Sequence, residues 1–264
     1  MCQLIRVRQA VWFLTLCAAS LGRMFASPAA GQTIIRQDLN AGDAKLKVLR
    51  EAQWPARGDA NASFRIESNL QEARFLFDAL IKSQSGGIAA EREKVQTEYP
   101  PALEVFYARG IAALPQSGAL YADRGMYFLK WKKDGEAARR DFEQAVKVAP
   151  DYGAGYSGLL RLLADQGKLA EAQAIALPAY RRFQAILKDS EKTAALREAN
   201  PRDRSLDFVT ELAFQAGQWQ DVIDAKVGGA LYSDFRAWSR TMHRRILSHL
   251  ALGQEEAAAK DLAT

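Results

Sequence analysis

Two histidines, two cysteines and a few closely spaced carboxylates are the residues of this 264-residue chain that could do chemistry. His243 and His249 are the only histidines and stand six apart. On a helix, six residues turn through about 600°, so the two rings leave on different sides. They cannot form the i, i+4 pair of a helical zinc site. Asp207 and Glu211 are one helical turn apart, a spacing an acid–base pair could use but that a solvated face explains better. The chain has no HExxH or EF-hand pattern, no GxSxG elbow, and no glycine-rich phosphate loop following a strand. Arg57-Gly58-Asp59 matches an adhesion tripeptide, which an exposed turn accounts for, and Asn61-Ala62-Ser63 matches a glycosylation sequon, which by itself carries no assignment. The expectation is a protein that is not an enzyme and takes no metal or cofactor. The alternative is an enzyme with an unrecognised carboxylate site.

Cys2 and Cys17 both lie near the N-terminus, in a stretch with its own pattern. Arg6 and Arg8 are followed by the uncharged apolar run Ala10–Gly22, then by the small residues of Phe25–Gln32. That order is the pattern of a secretory signal peptide. The run is shorter than the roughly 20 residues of a transmembrane helix. Residues 1–31 are therefore read as a leader cleaved after Ala29 or Gly31, with an uncleaved anchor flanked by Arg23 as the alternative. Lipidation at Cys17 is a further alternative, although Leu16 stands where a small residue belongs. The mature chain would hold no cysteine, which excludes disulfides and thiolate chemistry. Arg6, Arg8 and Arg23 account for three of the five net positive charges. The remaining +2 argues for neither nucleic acid nor an anionic membrane as partner. The chain is exported on this reading, periplasmic or secreted, with no membrane span after cleavage.

Hydrophobic residues make up 48% and charged residues 25% of the chain, the balance of a folded globular protein. The patterning is helical throughout and predicts an all-α fold. A short helix is expected near 43–53, followed by a loop. Leu70, Ala73, Leu76 or Phe77, and Leu80 recur at helical spacing until Ser83–Gly87 breaks the pattern. A helix over 88–97 should end at Pro100-Pro101, and the next, Ala102–Leu114, at Pro115.

The rest of the chain repeats. Ala138 and Ala172 are 34 residues apart, as are Ala145 and Ala179. Each pair of patterned segments opens on an aromatic, Tyr121 or Tyr156, and carries small residues seven apart in its second segment. The residues sharing this pattern are Tyr121, Gly125, Phe128, Ala138, Phe142, Ala145 and Pro150, then Tyr156, Leu159, Leu163, Gly167, Ala172, Ala176 and Ala179. Together they resemble the tetratricopeptide repeat, a helix–turn–helix unit of 34 residues. Alanine on an inner face allows close helix approach, and Pro150 stops propagation. Three departures stand out. The Trp131–Gly135 turn carries one extra residue, Gly125 is matched by Leu160, and Pro178 should kink or end its helix. Weaker copies, marked by Gly110, Gly217 and Gly253, extend the pattern over 97–264.

The resemblance implies an α-solenoid of antiparallel helix pairs. The expected organisation is a leader (1–31), an N-terminal loop and helices (32–96), a repeat core (97–184, with best repeats 118–151 and 153–184) and C-terminal repeat-like helices (185–264). In such stacks the first helix of each unit lines a concave groove. Asp123, Tyr127 and Lys130, with Trp131 beside them, form one polar stripe. Ser157, Arg161 and Ala164 with Asp165 form a second, and Asp207, Glu211 and Phe214 a third. Mixed charge with aromatics suits peptide recognition; a solvated face is the plain alternative. The reading is an exported scaffold for a protein or peptide partner in the envelope. The alternative is a non-catalytic subunit of an envelope polysaccharide or secretion machine touching glycan or a membrane component.

Overall fold

The computed structural model describes residues 42–55, 62–85, 89–188, 206–224 and 235–263. The leader, the Arg57–Asp59 tripeptide and Asn61 lie outside them. The described residues are all-α and contain no strand. Contacts divide them into two compact units, one ending at Leu162 and the other beginning at Leu163.

The first unit opens with α1 (42–51), followed by α2 (Ala62–Ser83) and α3 (Ala89–Ala113). Next come α4 (Gly118–Tyr127), which runs into a π-turn at Phe128–Lys132, and α5 (Gly135–Val148). The early turns of α6 (Gly153–Asp165) complete the unit. Its core gathers Leu70, Leu76, Leu80, Tyr99, Leu103, Phe106, Tyr107, Leu120 and Tyr127. α2 and α3 run antiparallel: Gln96, early in α3, donates to the carbonyl and hydroxyl of Ser83 at the end of α2.

Pro100 and Pro101 do not end a helix; both lie inside α3. A proline inside a helix costs about 3 kcal/mol. Against this, Val95, Tyr99, Leu103, Phe106 and Tyr107 form one buried stripe through the proline pair, and burying a large apolar side chain contributes about 1.5–3 kcal/mol. The carbonyl released by Pro101 is that of Thr97, an exposed residue open to water. Pro178 behaves alike. It sits inside α7 (Leu169–Lys188) without ending it, because Pro178 and Ala174, whose carbonyl it frees, are both exposed.

The hairpin of α4 and α5 holds most of the packing residues read from the pattern. Asp134 starts α5 by accepting from the Ala137 N–H at 2.9 Å, and the helix stops at Val148, ahead of Pro150. Ala138, Phe142 and Ala145 are fully buried, Tyr156 nearly so, and Tyr121 and Pro150 half-buried. Gly118 backs onto Ala145 and Ala149 while Gly125 backs onto Phe142, so the start of α4 meets the end of α5. Gly158 of α6 also backs onto Phe142, where its Cβ would lie 2.3 Å from the ring.

The second unit contains α7, then α8 (Leu206–Gln215), α9 (Trp219–Asp224), α10 (Phe235–Ala251) and α11 (Glu255–Leu262). Ala172, Ala176, Ala179, Tyr180 and Phe183 form the buried side of α7. Gln173 near its start bonds the Ala216 carbonyl at the end of α8. Phe183 near its end meets Phe208 at the start of α8, with ring centres 4.9 Å apart. These two helices are therefore antiparallel as well.

One turn recurs. Gly167, Gly217 and Gly253 adopt φ of +71°, +73° and +74°. The following N–H reaches back five residues in each case: Lys168 to Leu163, Gln218 to Ala213, Gln254 to His249. This is the Schellman cap, which glycine favours because it has no Cβ to strain in the left-handed region. Gly167 is exposed with nothing near its Cβ position, so it shapes a turn and does not pack the repeat as the pattern suggested.

Candidate partner-binding face

The extra residue of the Trp131–Gly135 turn is absorbed at the end of α4. Lys133 takes the left-handed position with φ +57°, 34 residues before Gly167. The next N–H, of Asp134, reaches back six residues to Phe128 at 3.1 Å, where the glycine caps reach back five. The intervening backbone is the π-turn Phe128–Lys132. Such a turn inserts one residue without breaking the helix. It also alters the rotation between Tyr127 and Lys130, so the straight i, i+4, i+7 stripe does not form.

Asp123 is engaged from α2. Arg74 Nε donates to its Oδ2 at 2.6 Å and Nη2 to its Oδ1 at 3.2 Å. The same guanidinium donates to Glu67 at 2.8 Å and reaches the Tyr152 hydroxyl at 3.4 Å. Burial disfavours this charged guanidinium, yet Asp123, Tyr152 and Glu67 outweigh it and hold Arg74 more firmly protonated than a free arginine.

Tyr127 corrects the groove reading. The side chain is fully buried, packed against Phe77, Tyr107 and Phe128, and cannot offer its ring to a partner. Its hydroxyl donates to Glu104 at 2.8 Å. Burial and that bond push the phenol above its ordinary range. Trp131 is half-buried and packs against the core, so it is no open stacking platform.

Lys130 and Arg161 remain at the surface of this unit, half-buried and exposed respectively. Burial lowers the Lys130 ammonium pKa, the Arg161 charge lowers it further, and Asp78 opposes both. The periodicity did not single out Arg74, Asp78 or Tyr152. Arg74 and Asp78 stand four apart on α2, a polar pair on a helix read only for its apolar side. Tyr152 lies in the loop before α6, where no helical period applies.

The other expected groove residues belong to the second unit. Asp165 is exposed at the end of α6. Glu211 on α8 is half-buried, 3.8 Å from Arg244 of α10. Asp207 falls in α8, but its side chain lies outside the described residues. His249 is buried: its Nδ1 faces Gln254 at 2.7 Å, and its Nε2 lies 3.4 Å from Asp261, which also pairs with Arg245. His243 is half-buried, and burial aided by Arg244 lowers its pKa. The two rings keep the separate surroundings that their spacing implied.

Among the described residues no cluster of three or more His, Cys, Asp or Glu could hold a metal ion, and no helix is long and apolar enough to cross a membrane. Comparison with protein-family models, with curated proteins and with solved structures finds no match.

Proposed function

We propose that this chain is an exported helical-repeat scaffold of the tetratricopeptide type. It binds a peptide segment of a partner protein in the periplasm or cell envelope. The observation that carries the reading is the Arg74 cluster, which ties α2 to Asp123 of α4 and to Tyr152 at the entrance of α6. Arg74 thereby holds α2, α4 and the loop that leads into α6 together. Rigid presentation of polar side chains limits the ordering cost of binding.

Division of labour follows from burial. Asp123 and Tyr127 hold the face together, while Lys130 and Arg161 supply its cationic edge. The segment recognised is then acidic or presents backbone carbonyls, acceptors that arginine and lysine bind well. The glycan reading needs an open aromatic surface at Trp131, and the packing of that indole against the core favours a protein partner instead.

Crosslinking capture from envelope extracts, read by mass spectrometry, tests the proposal. The wild-type chain should enrich a protein that the Lys130→Glu/Arg161→Glu chain loses. Identical enrichment by both would remove the basis of the reading. Export is tested separately by intact mass, where a mature chain beginning after Ala29 or Gly31 is expected and one retaining Cys17 contradicts it.

A further inference from the structure

α1 crosses α3 with a clamp at each end. Lys94 pairs with Asp43 at 2.7 Å at one end. At the other, the Arg109 guanidinium donates to the carbonyls of Arg50 (2.8 Å) and Ala52 (3.1 Å). Between the clamps the helices leave a pocket of about 390 Å³. Leu49 and Phe106, both buried, form its apolar part. Pro101 and Val105 border it from α3, and Val105 is 56% exposed. Arg50 stands on the α1 wall and Glu98 on the α3 wall, with no ion pair between them within 4 Å.

We propose that this groove is the contact between two copies of the chain. One patch holds an apolar knob, an apolar recess and one charge of each sign on opposite walls. That combination is self-complementary, as the two-fold interface of a homodimer requires. A two-fold axis along the groove lays α1 of each copy over α3 of the other. Each Arg50 then meets the other copy's Glu98, and each exposed Val105 is covered. The patch is small, so the dimer should be weak. The groove is lined by residues of α1 and α3 and by neither Lys130 nor Arg161, so the inference does not rest on the proposed partner-binding face.

Sedimentation equilibrium on the full purified chain over a wide concentration range is the test. A reversible monomer–dimer equilibrium is expected. Val105→Glu should weaken it by about tenfold or more, with an unchanged circular dichroism spectrum because the side chain is mostly exposed. Arg50→Glu and Glu98→Arg should each weaken it, and the double exchange should restore it. These surface changes decide the matter even if Val105→Glu disturbs folding. A chain that stays monomeric at every concentration overturns the proposal, as does a dimer insensitive to the charge variants. A monomer would leave an intramolecular segment or another protein as the occupant of the groove.

Discussion

The ring of Phe142 on α5 sits against the backbone of both Gly158 on α6 and Gly125 on α4. A Cβ on Gly158 would lie 2.3 Å from the ring and one on Gly125 2.7 Å. Phe142 is thus one contact through which the α4–α5 hairpin packs on α6, next to Gly155 against Ala145, and Gly125 and Gly158 are both needed for their size.

Gly158→Ala or Gly125→Ala should therefore destabilise the fold by about 1–3 kcal/mol through overpacking. Phe142→Ala should cost about 3–5 kcal/mol through the cavity it leaves. Urea unfolding measures each. A neutral Gly158→Ala would mean that the ring has room to move aside.

Arg74 and Asp123 form a well-shielded ion pair, with side chains 14% and 13% exposed. Removing one partner leaves a charge stranded, so Asp123→Ala should cost about 3 kcal/mol, with Glu67 retaining part of the compensation. The paired change Arg74→Met/Asp123→Leu should cost less, because the only charge it leaves without its partner is Glu67, the more exposed of the two carboxylates on Arg74 at 31%. A double-mutant cycle with a coupling energy below about 0.5 kcal/mol would contradict this.

The left-handed turn positions give opposite expectations. Lys133 strains where Gly167 does not, so Lys133→Gly should stabilise the chain by about 1 kcal/mol and Gly167→Ala destabilise it by a similar amount. Gly217→Ala should be the worse of the two alanine changes, since its Cβ would also meet the Gln173 amide at 3.0 Å. Thermal unfolding midpoints rank the three.

Glu104 makes stability pH-dependent. Burial raises its carboxyl, but hydrogen bonds from Lys132 and Tyr127 outweigh this and hold it below the ordinary carboxylate range. A depressed folded pKa contributes stability that is present above the unfolded value of about 4.3 and lost as pH falls through the folded value. Glu104→Gln should flatten the stability profile below that point. The effect is modest, because the side chain is 45% exposed and solvent screens it. An unchanged profile would assign the acid sensitivity to other carboxylates.

The all-α class was legible in the sequence. So was the burial of Ala138, Phe142, Ala145, Ala172 and Ala179. These are local matters: apolar spacing sets which helix side is buried. Tertiary structure decided the rest. Pro100, Pro101 and Pro178 read as stops, yet burial on both sides of the pair, and solvent access at Pro101 and Pro178, let the helices continue. Asp123, Tyr127 and Lys130 read as one stripe, yet a single inserted residue became a π-turn that sets Lys130 apart from the other two. Tyr127 entered the core, and Asp123 was taken by Arg74, 49 residues earlier in the chain. Periodicity reports which face of a helix a residue occupies. Whether that face meets water, an arginine or an aromatic core depends on residues distant in the chain, and only the packed structure brings them into contact.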